Sequence, residues 1–233
     1  MRVIIPMAGL GSRFSNDGYT DPKPLIEFLG KPMIQHVVEH VGLSECEHIF
    51  LCQKSHIKKY KLHDLFASFV SNFKIVEVDG LTEGAAITVS LADSVMRADD
   101  SFMIVNSDQL VYWDRDLTKF GDADGCIYCF FGNGPKWSYA AIDENGTVRR
   151  VAEKVQISEH ATSGMYYWKR WSDFKAALTK MINLNDRVNQ EFYVAPVYNY
   201  ANGKIIIKHV DNVEQVGTPE ELNAYLQKVN NPS

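Results

Sequence analysis

The chain is predicted to fold as an α/β protein built on a mostly parallel sheet with helices on both faces. Three observations carry that expectation. Short apolar runs alternate with stretches of helical period through the first 110 residues, the order expected of strands linked by crossover helices. Runs such as Val3-Ile4-Ile5 and Phe102-Met103-Ile104-Val105 are apolar at every position, as burial on both faces of a sheet requires. Past Asp108 the pattern changes to strand-like runs separated by short turns, which adds a mixed second half.

The elements follow in order. Val3-Ile4-Ile5 reads as a short buried strand, and residues 32–41 place Ile34, Val37, Val38 and Val41 on one helical face. His48-Ile49-Phe50-Leu51-Cys52 is the next strand, residues 56–69 a helix, and Phe73 to Val78 a strand with partial alternation. Gly84 to Met96 reads as a helix and Phe102 to Val105 as a buried strand. In the second half, 126–131, 138–142, 147–151 and 163–168 are strand-like, and Asn145-Gly146 is a hairpin signal. Residues 172–182 and 190–200 look helical, Lys204 to Val210 is a strand, and Pro219 to Val229 is a closing helix. No linker divides the chain, so residues 1–233 read as one domain with halves 1–110 and 111–233 and no further C-terminal module.

Composition narrows the function. Of 233 residues, 45% are apolar and 23% charged, ordinary for a soluble globular protein. A net charge of −5 argues against a nucleic-acid surface as the main function. No apolar run approaches the roughly 20 residues that span a bilayer, and the start lacks the pattern of a signal peptide. The cysteines Cys46, Cys52, Cys126 and Cys129 suggest reduced thiols in the cytoplasm. No internal repeat or low-complexity segment is present.

The chemistry is concentrated near the N-terminus, in Met7-Ala8-Gly9-Leu10-Gly11-Ser12-Arg13-Phe14 and in Pro22-Lys23-Pro24-Leu25. Backbone N–H groups of a glycine-rich loop approach an anion closely because no side chain intervenes. Arg13 and Lys23 add fixed positive charge. The loop lacks the Gly-Lys-Ser/Thr ending of a P-loop. It also has Phe14 where a dinucleotide fingerprint needs its third glycine. Asn16-Asp17-Gly18 and the prolines behind them exclude a long crossover helix. The combination points to a triphosphate held at the end of a strand.

These blocks, followed by Gly30-Lys31-Pro32-Met33-Ile34, resemble the signature of the sugar-phosphate nucleotidyltransferases, the group that includes the glucose-1-phosphate thymidylyltransferases. The resemblance implies a Rossmann-like, three-layer α/β sheet of the nucleotidyltransferase (GT-A-like) type, with 1–110 the nucleotide-binding half and 111–233 a mixed acceptor-binding half. It implies catalytic roles for Arg13 and Lys23, and nucleotide binding by Met7, Ala8, Gly9, Gly11 and Ser12. Thr82, Gly84 and Ala85, in Leu81-Thr82-Glu83-Gly84-Ala85-Ala86, match the segment that contacts base and ribose; the same residues also read as a helix start capped by Thr82.

Asp108, in Asn106-Ser107-Asp108-Gln109, follows a buried strand, in the crevice where such sheets bind ligands. Magnesium prefers one or two carboxylates plus substrate phosphate oxygens, and the resemblance implies a metal-binding aspartate here. A turn-forming or helix-capping aspartate is the plain alternative. Glu153 and Lys154 match a Glu-Lys-Pro block, with Val155 in place of proline, and Gly164 matches Gly-Ile-Tyr. The resemblance gives Glu153 sugar hydroxyls and Lys154 the acceptor phosphate; a surface ion pair is the alternative. Val216-Gly217-Thr218-Pro219-Glu220-Glu221-Leu222 resembles the closing block, but Gln215 stands where a second metal-binding aspartate is expected. Either Asp211 substitutes, or Asp108 and the phosphates hold the metal, or activity is impaired.

Three further patterns carry less. His36-Val37-Val38-Glu39-His40 fits an inverted zinc-protease motif but has no third ligand. Cys126 and Cys129, three apart on a strand, face opposite sides. Asn145-Gly146-Thr147 fits a glycosylation acceptor that a cytoplasmic chain never exposes to that machinery. The expected function is nucleotidyl transfer from a nucleoside triphosphate to a phosphorylated acceptor with Mg²⁺. Sugar 1-phosphate is the first acceptor, giving an NDP-sugar for surface polysaccharide synthesis. Phosphocholine or a polyol phosphate, a GT-A glycosyltransferase and a non-catalytic nucleotide-binding module are the alternatives. No nucleic-acid or membrane partner is expected, and a homo-oligomer is compatible with the chain.

Overall fold

The computed structural model describes residues 1–231. The first half runs β1 (Arg2–Pro6), α1 (Ser12–Asn16), β2 (Glu27–Phe28), β3 (Lys31–Pro32), α2 (Met33–Val41), β4 (Glu47–Gln53), α3 (Lys54–Lys59), α4 (Leu62–Ala67), β5 (Phe73–Val78), α5 (Ala85–Ser90), β6 (Phe102–Val105) and β7 (Gln109–Tyr112). The second runs β8 (Gly125–Phe131), β9 (Ser138–Ile142), β10 (Val148–Glu153), β11 (His160–Trp168), α6 (Trp171–Asn183), β12 (Ile205–His209), β13 (Asn212–Gln215) and α7 (Pro219–Asn230).

One nine-stranded sheet runs through both halves, in the order β10-β9-β11-β6-β1-β4-β5, with β8 pairing β11 and β12. β1 lies parallel to β4 and β6, and β4 parallel to β5. The direction reverses at β11, which is antiparallel to β6, β8 and β9. The expected α/β fold, with a parallel sheet in the first half and a mixed second half, is therefore what forms.

Burial on both faces follows the period of two along each strand. Val3, Ile5, Phe50, Cys52, Met103 and Val105 join one core with α2 and α4. Ile4, Ile49, Leu51, Phe102 and Ile104 join the other with α5 and α6. Cys126 falls in the first core and Cys129 in the second, so the pair is split by the sheet. The histidine motif on α2 is also used up. His36 Nε2 bonds the Phe28 carbonyl at 2.8 Å and stacks on the Phe28 ring, while Glu39 pairs with Lys31 at 2.7 Å.

The structure departs from the sequence expectation at several elements. Residues 56–69 form two short helices, broken where Lys61 takes a left-handed φ of 48°. The helix expected from Gly84 to Met96 stops at Ser90 and tightens into a 3₁₀ turn, Leu91–Ser94. Of 190–200 only Ala195–Tyr200 is helical, again as 3₁₀, because Asn189 and Gln190 sit at positive φ and Phe192 is pinned by backbone bonds to Glu83 and Ala86. β7 and β13 form an antiparallel ribbon, Gln109 opposite Gln215, that the sequence did not announce.

Candidate active site

A cleft of about 700 Å³ opens over the carboxyl ends of β1 and β6 and draws its walls from both halves. Its first wall is the loop after β1. Met7 N–H still bonds the Leu51 carbonyl at 3.0 Å, so the loop leaves directly from the sheet. Gly11 then turns the chain at φ 62°, and a Cβ there would lie 2.8 Å from Lys23 Cβ. α1 is only five residues long and is held down by Phe14, which is buried against Tyr19. The residue that spoils a dinucleotide fingerprint is thus the anchor of a different loop. Met7, Ala8, Gly9, Gly11, Ser12 and Arg13 all line the cleft.

Lys23 begins a 3₁₀ turn, Lys23–Leu25, whose Pro24 and Leu25 are buried. Its ammonium meets Asp108 Oδ2 at 2.6 Å, and both side chains are about three-quarters buried. Asp108 lies in the turn between β6 and β7, and its carbonyl accepts Val216 N–H at 3.1 Å. Two residues separated by 85 positions are brought into contact by the parallel pairing of β1 and β6.

Next to this pair is a chain of amides. Asn106 Nδ2 donates to Gln109 Oε1 at 2.9 Å, and Gln109 Nε2 donates to Gln215 Oε1 at 3.1 Å. Gly164, placed by resemblance on the acceptor, instead serves this chain. It sits at the register shift of β11 with φ 80°, and a Cβ would come 1.6 Å from Gln109 Oε1.

Beside the glycine loop, Gln53 donates one amide to two backbone carbonyls, Ala8 at 2.6 Å and Gly80 at 2.9 Å. It ties the glycine loop to the segment before α5. The sequence reading missed it; its only signal was its place at the end of a parallel strand. Thr82 does not cap α5, whose N-cap is Gly84; its hydroxyl bonds Thr88 Oγ1 at 2.6 Å. Thr82, Gly84 and Ala85 line the cleft.

The opposite wall carries Glu153 and Lys154. Glu153 is 8% exposed, accepts a hydrogen bond from the Ser138 hydroxyl, and has its pKa raised by burial, against the pull of Ser138 and Lys154. Lys154 donates to Tyr193 Oη at 2.9 Å. Lys136, over the Trp137 ring at 4.4 Å, pairs with Glu221 at 2.7 Å. Ser138, Tyr193, Lys136 and Trp137 line this wall and were not singled out by sequence, since none belongs to a motif.

Asp211 requires a correction. Its N–H bonds the Tyr112 carbonyl at 2.8 Å, at the far end of the β7–β13 ribbon from Gln215. Four steps of extended chain separate the two, about 13 Å. Asp211 lines a separate shallow cavity with His40, Tyr112 and Arg115 and does not stand beside Asp108.

Among the described residues no group of three or more His, Cys, Asp or Glu could hold a metal ion. The donor set nevertheless fits magnesium carried by a phosphate ligand. Asp108 offers a carboxylate to the cleft, and a cation of this kind takes most of its shell from phosphates and water.

The family model described as Nucleotidyl transferase matches residues 2–222. The bifunctional protein GlmU of Methanocaldococcus jannaschii is 33% identical over 235 residues, covering 100% of this chain and 52% of that protein. The mannose-1-phosphate guanyltransferase of Emericella nidulans is 35% identical over 186 residues, 71% of this chain and 49% of the relative. The chain thus spans about half the length of these curated relatives. Among solved structures, the nucleoside-diphosphate-sugar pyrophosphorylase from Vibrio cholerae RC9 superposes with a TM-score of 0.84 at 26% identity, covering 97% of this chain and 99% of that one. A glycine loop and a lysine–aspartate pair over a parallel sheet, matched almost end to end by one family model, place this chain in the nucleotidyl transferase family.

Proposed function

We propose that the protein joins a nucleoside triphosphate to a sugar 1-phosphate, releasing pyrophosphate and an NDP-sugar. The observation that carries this reading is the Lys23–Asp108 pair, set between a phosphate-binding loop and an acceptor wall that holds a buried carboxylate and a lysine. The relatives named for mannose 1-phosphate and for nucleoside-diphosphate sugars support a sugar 1-phosphate over other acceptors. The product is an activated sugar of the kind consumed by surface polysaccharide synthesis, and the free cysteines suit a reducing cytoplasm. No helix among the described residues is long and apolar enough to cross a membrane.

A phosphate oxygen of the acceptor attacks the α-phosphorus of the triphosphate. The new P–O bond forms as the bond to the bridging α,β-oxygen breaks, and pyrophosphate departs with that electron pair. The nucleophile is already an anion, so the protein's work is positioning and charge stabilisation. Backbone N–H groups of Gly9, Gly11 and Ser12 meet the triphosphate. Arg13 balances the departing pyrophosphate. Lys23 turns from Asp108 to the α-phosphate as charge develops there. Glu153 accepts sugar hydroxyls, and Lys154 with Tyr193 orients the acceptor phosphate. Asp108 and the phosphates would hold magnesium, which would supply charge neutralisation at the phosphates.

The test is pyrophosphate release from ATP, CTP, GTP, UTP and dTTP, each with sugar 1-phosphates, phosphocholine and a polyol phosphate. Release with a sugar 1-phosphate supports the reading, and release only with phosphocholine or the polyol phosphate moves the acceptor class. Triphosphate binding without release under any acceptor makes the protein a binding module. Removing one electrostatic contact of this kind lowers turnover about 10²–10³-fold. Lys23→Ala and Asp108→Ala should each show that loss with an unchanged far-UV CD spectrum, and near-normal turnover in either would refute its role.

A further inference from the structure

The charged groups that line the cleft do not balance. Lys23 is paired with Asp108 at 2.6 Å, and Lys136 with Glu221 at 2.7 Å. Arg13 has the charge of Glu220 beside it, and Lys154 gives its ammonium to Tyr193 Oη at 2.9 Å. Two carboxylates are left over on the acceptor wall, Glu153 and Glu191, neither in an ion pair among the described residues. Glu153 is buried; one of its oxygens takes the Ser138 hydroxyl, and the other has no donor among the described residues. Glu191 is exposed, and its main chain is fixed by the bridge to Val188, just before Tyr193. Burial raises the Glu153 carboxyl and the negative charge of Glu191 adds to the rise, against the pull of Ser138 and Lys154. A buried carboxylate without a cation is costly. The cations of the cleft are engaged elsewhere, so the missing positive charge has to arrive with the ligand.

We propose that the acceptor is an amino sugar 1-phosphate, its protonated amine held by Glu153 and Glu191 while Lys154 takes its phosphate. The inference rests on the nucleotidyl-transfer reading and names the acceptor within it. One carboxylate is enough to receive sugar hydroxyls, and a neutral sugar brings no charge to offset the second. An ammonium donates three hydrogen bonds and accepts none, the complement of carboxylate oxygens. Bonds between two charged groups are also roughly twice as strong as neutral ones. An N-acetyl group keeps one N–H but sets a carbonyl oxygen against the carboxylates. A quaternary ammonium has no N–H to give, and it binds by stacking on aromatic rings. Those rings are already in use: Lys136 stands 4.4 Å from the centre of the Trp137 ring, and Lys154 5.0 Å from that of Tyr193. The wall therefore selects an amine that can donate.

The experiment reads kcat/KM by pyrophosphate release from the full chain at neutral pH, with each of ATP, CTP, GTP, UTP and dTTP. The 2-amino and 4-amino hexose 1-phosphates are compared with their N-acetyl forms and with the unsubstituted hexose 1-phosphates. One amino form is expected to exceed both its N-acetyl form and its neutral parent at least about tenfold. Glu191→Gln keeps the size of the side chain and removes its charge, and should lower that ratio about tenfold. Glu191→Lys should bring it below one. The ratio is taken within one variant, so a partial loss of folded protein cancels. A neutral or N-acetylated sugar 1-phosphate that matches every amino form overturns the proposal and leaves the nucleotidyl-transfer reading standing. A preference for the amine that neither Glu191 variant changes also overturns it. Release with none of the acceptors overturns the nucleotidyl-transfer reading and this proposal with it.

Discussion

Burial pushes the Glu153 carboxyl above the ordinary glutamate range, against the opposing pull of the Ser138 hydroxyl and the Lys154 ammonium. The sign of the consequence is fixed by linkage. A carboxyl whose pKa is higher in the folded protein than in the unfolded chain binds its proton more tightly when folded. Its contribution to stability is complete below the unfolded value, near pH 4.3, and is lost as pH rises through the folded one. Glu153→Gln removes that loss while keeping an acceptor for Ser138. The variant should therefore match or exceed wild type in Tm at neutral pH, with the difference shrinking as pH falls toward 4. On the proposed function the same change should raise the acceptor KM about tenfold or more, since hydrogen bonds to a charged group contribute about 1.5–3 kcal/mol. A Tm difference that grows toward acid pH would remove Glu153 as a destabilising buried charge. The residue itself was readable in Ala152-Glu153-Lys154-Val155. Its partners were not. Ser138 meets Glu153 only because β9 and β10 pair in a register that sets the two residues opposite each other, and Tyr193 belongs to a stretch whose apolar spacing imitates a helix.

Gly164 shows how a strand irregularity builds a site. β11 pairs β6 through Met165–Trp168 and β8 on both sides of the break between Thr162 and Tyr166. In that break the Gly164 carbonyl accepts Asn106 N–H at 2.9 Å, while the missing side chain leaves room for the Gln109 amide. Gly164→Ala therefore meets two costs. An L-residue at this positive φ loses about 1–2 kcal/mol, and the methyl strikes Gln109 Oε1, forcing the amide out of its bonds with Asn106 and Gln215. The expected total is at least about 2 kcal/mol, read from urea unfolding. Adding Gln109→Ala removes the clash, so the double variant should recover part of the loss. Strict additivity of the two changes would show that the methyl and the amide do not meet. The strands of the sheet were legible because burial on both faces leaves unbroken apolar runs. The ribbon of β7 and β13 was not, because Asn212-Val213-Glu214-Gln215 is mostly polar and reads as loop. That omission is also why Asp211 was a candidate in place of Gln215: without the register, distance along the chain was the only guide.

The cleft takes its lining from the glycine loop, the β6–β7 turn, the β9–β10 hairpin and the segment entering α7, and ion pairs such as Lys136–Glu221 join distant parts of the chain around it. A ligand that contacts all of these binds the folded protein and not the unfolded chain, so its binding free energy adds to folding stability. At a hundredfold excess over Kd the gain is about 2.7 kcal/mol. For a chain of this length each kcal/mol moves Tm by about 2–4 °C. On the proposed function, one triphosphate should then raise Tm by roughly 5–11 °C in the presence of Mg²⁺, and the other bases by less. Differential scanning fluorimetry against ATP, CTP, GTP, UTP and dTTP ranks them in one measurement. Lys23→Ala should lower the shift, because it removes the cation that faces the phosphates. A sugar 1-phosphate added alone should shift Tm little, as it reaches only the acceptor wall. Added after the triphosphate in a non-hydrolysable α,β-methylene form, it should raise Tm further. An equal shift for all bases would mean that the phosphates alone are recognised, and that Thr82, Gly84 and the Gln53 clamp hold the loop without reading the base.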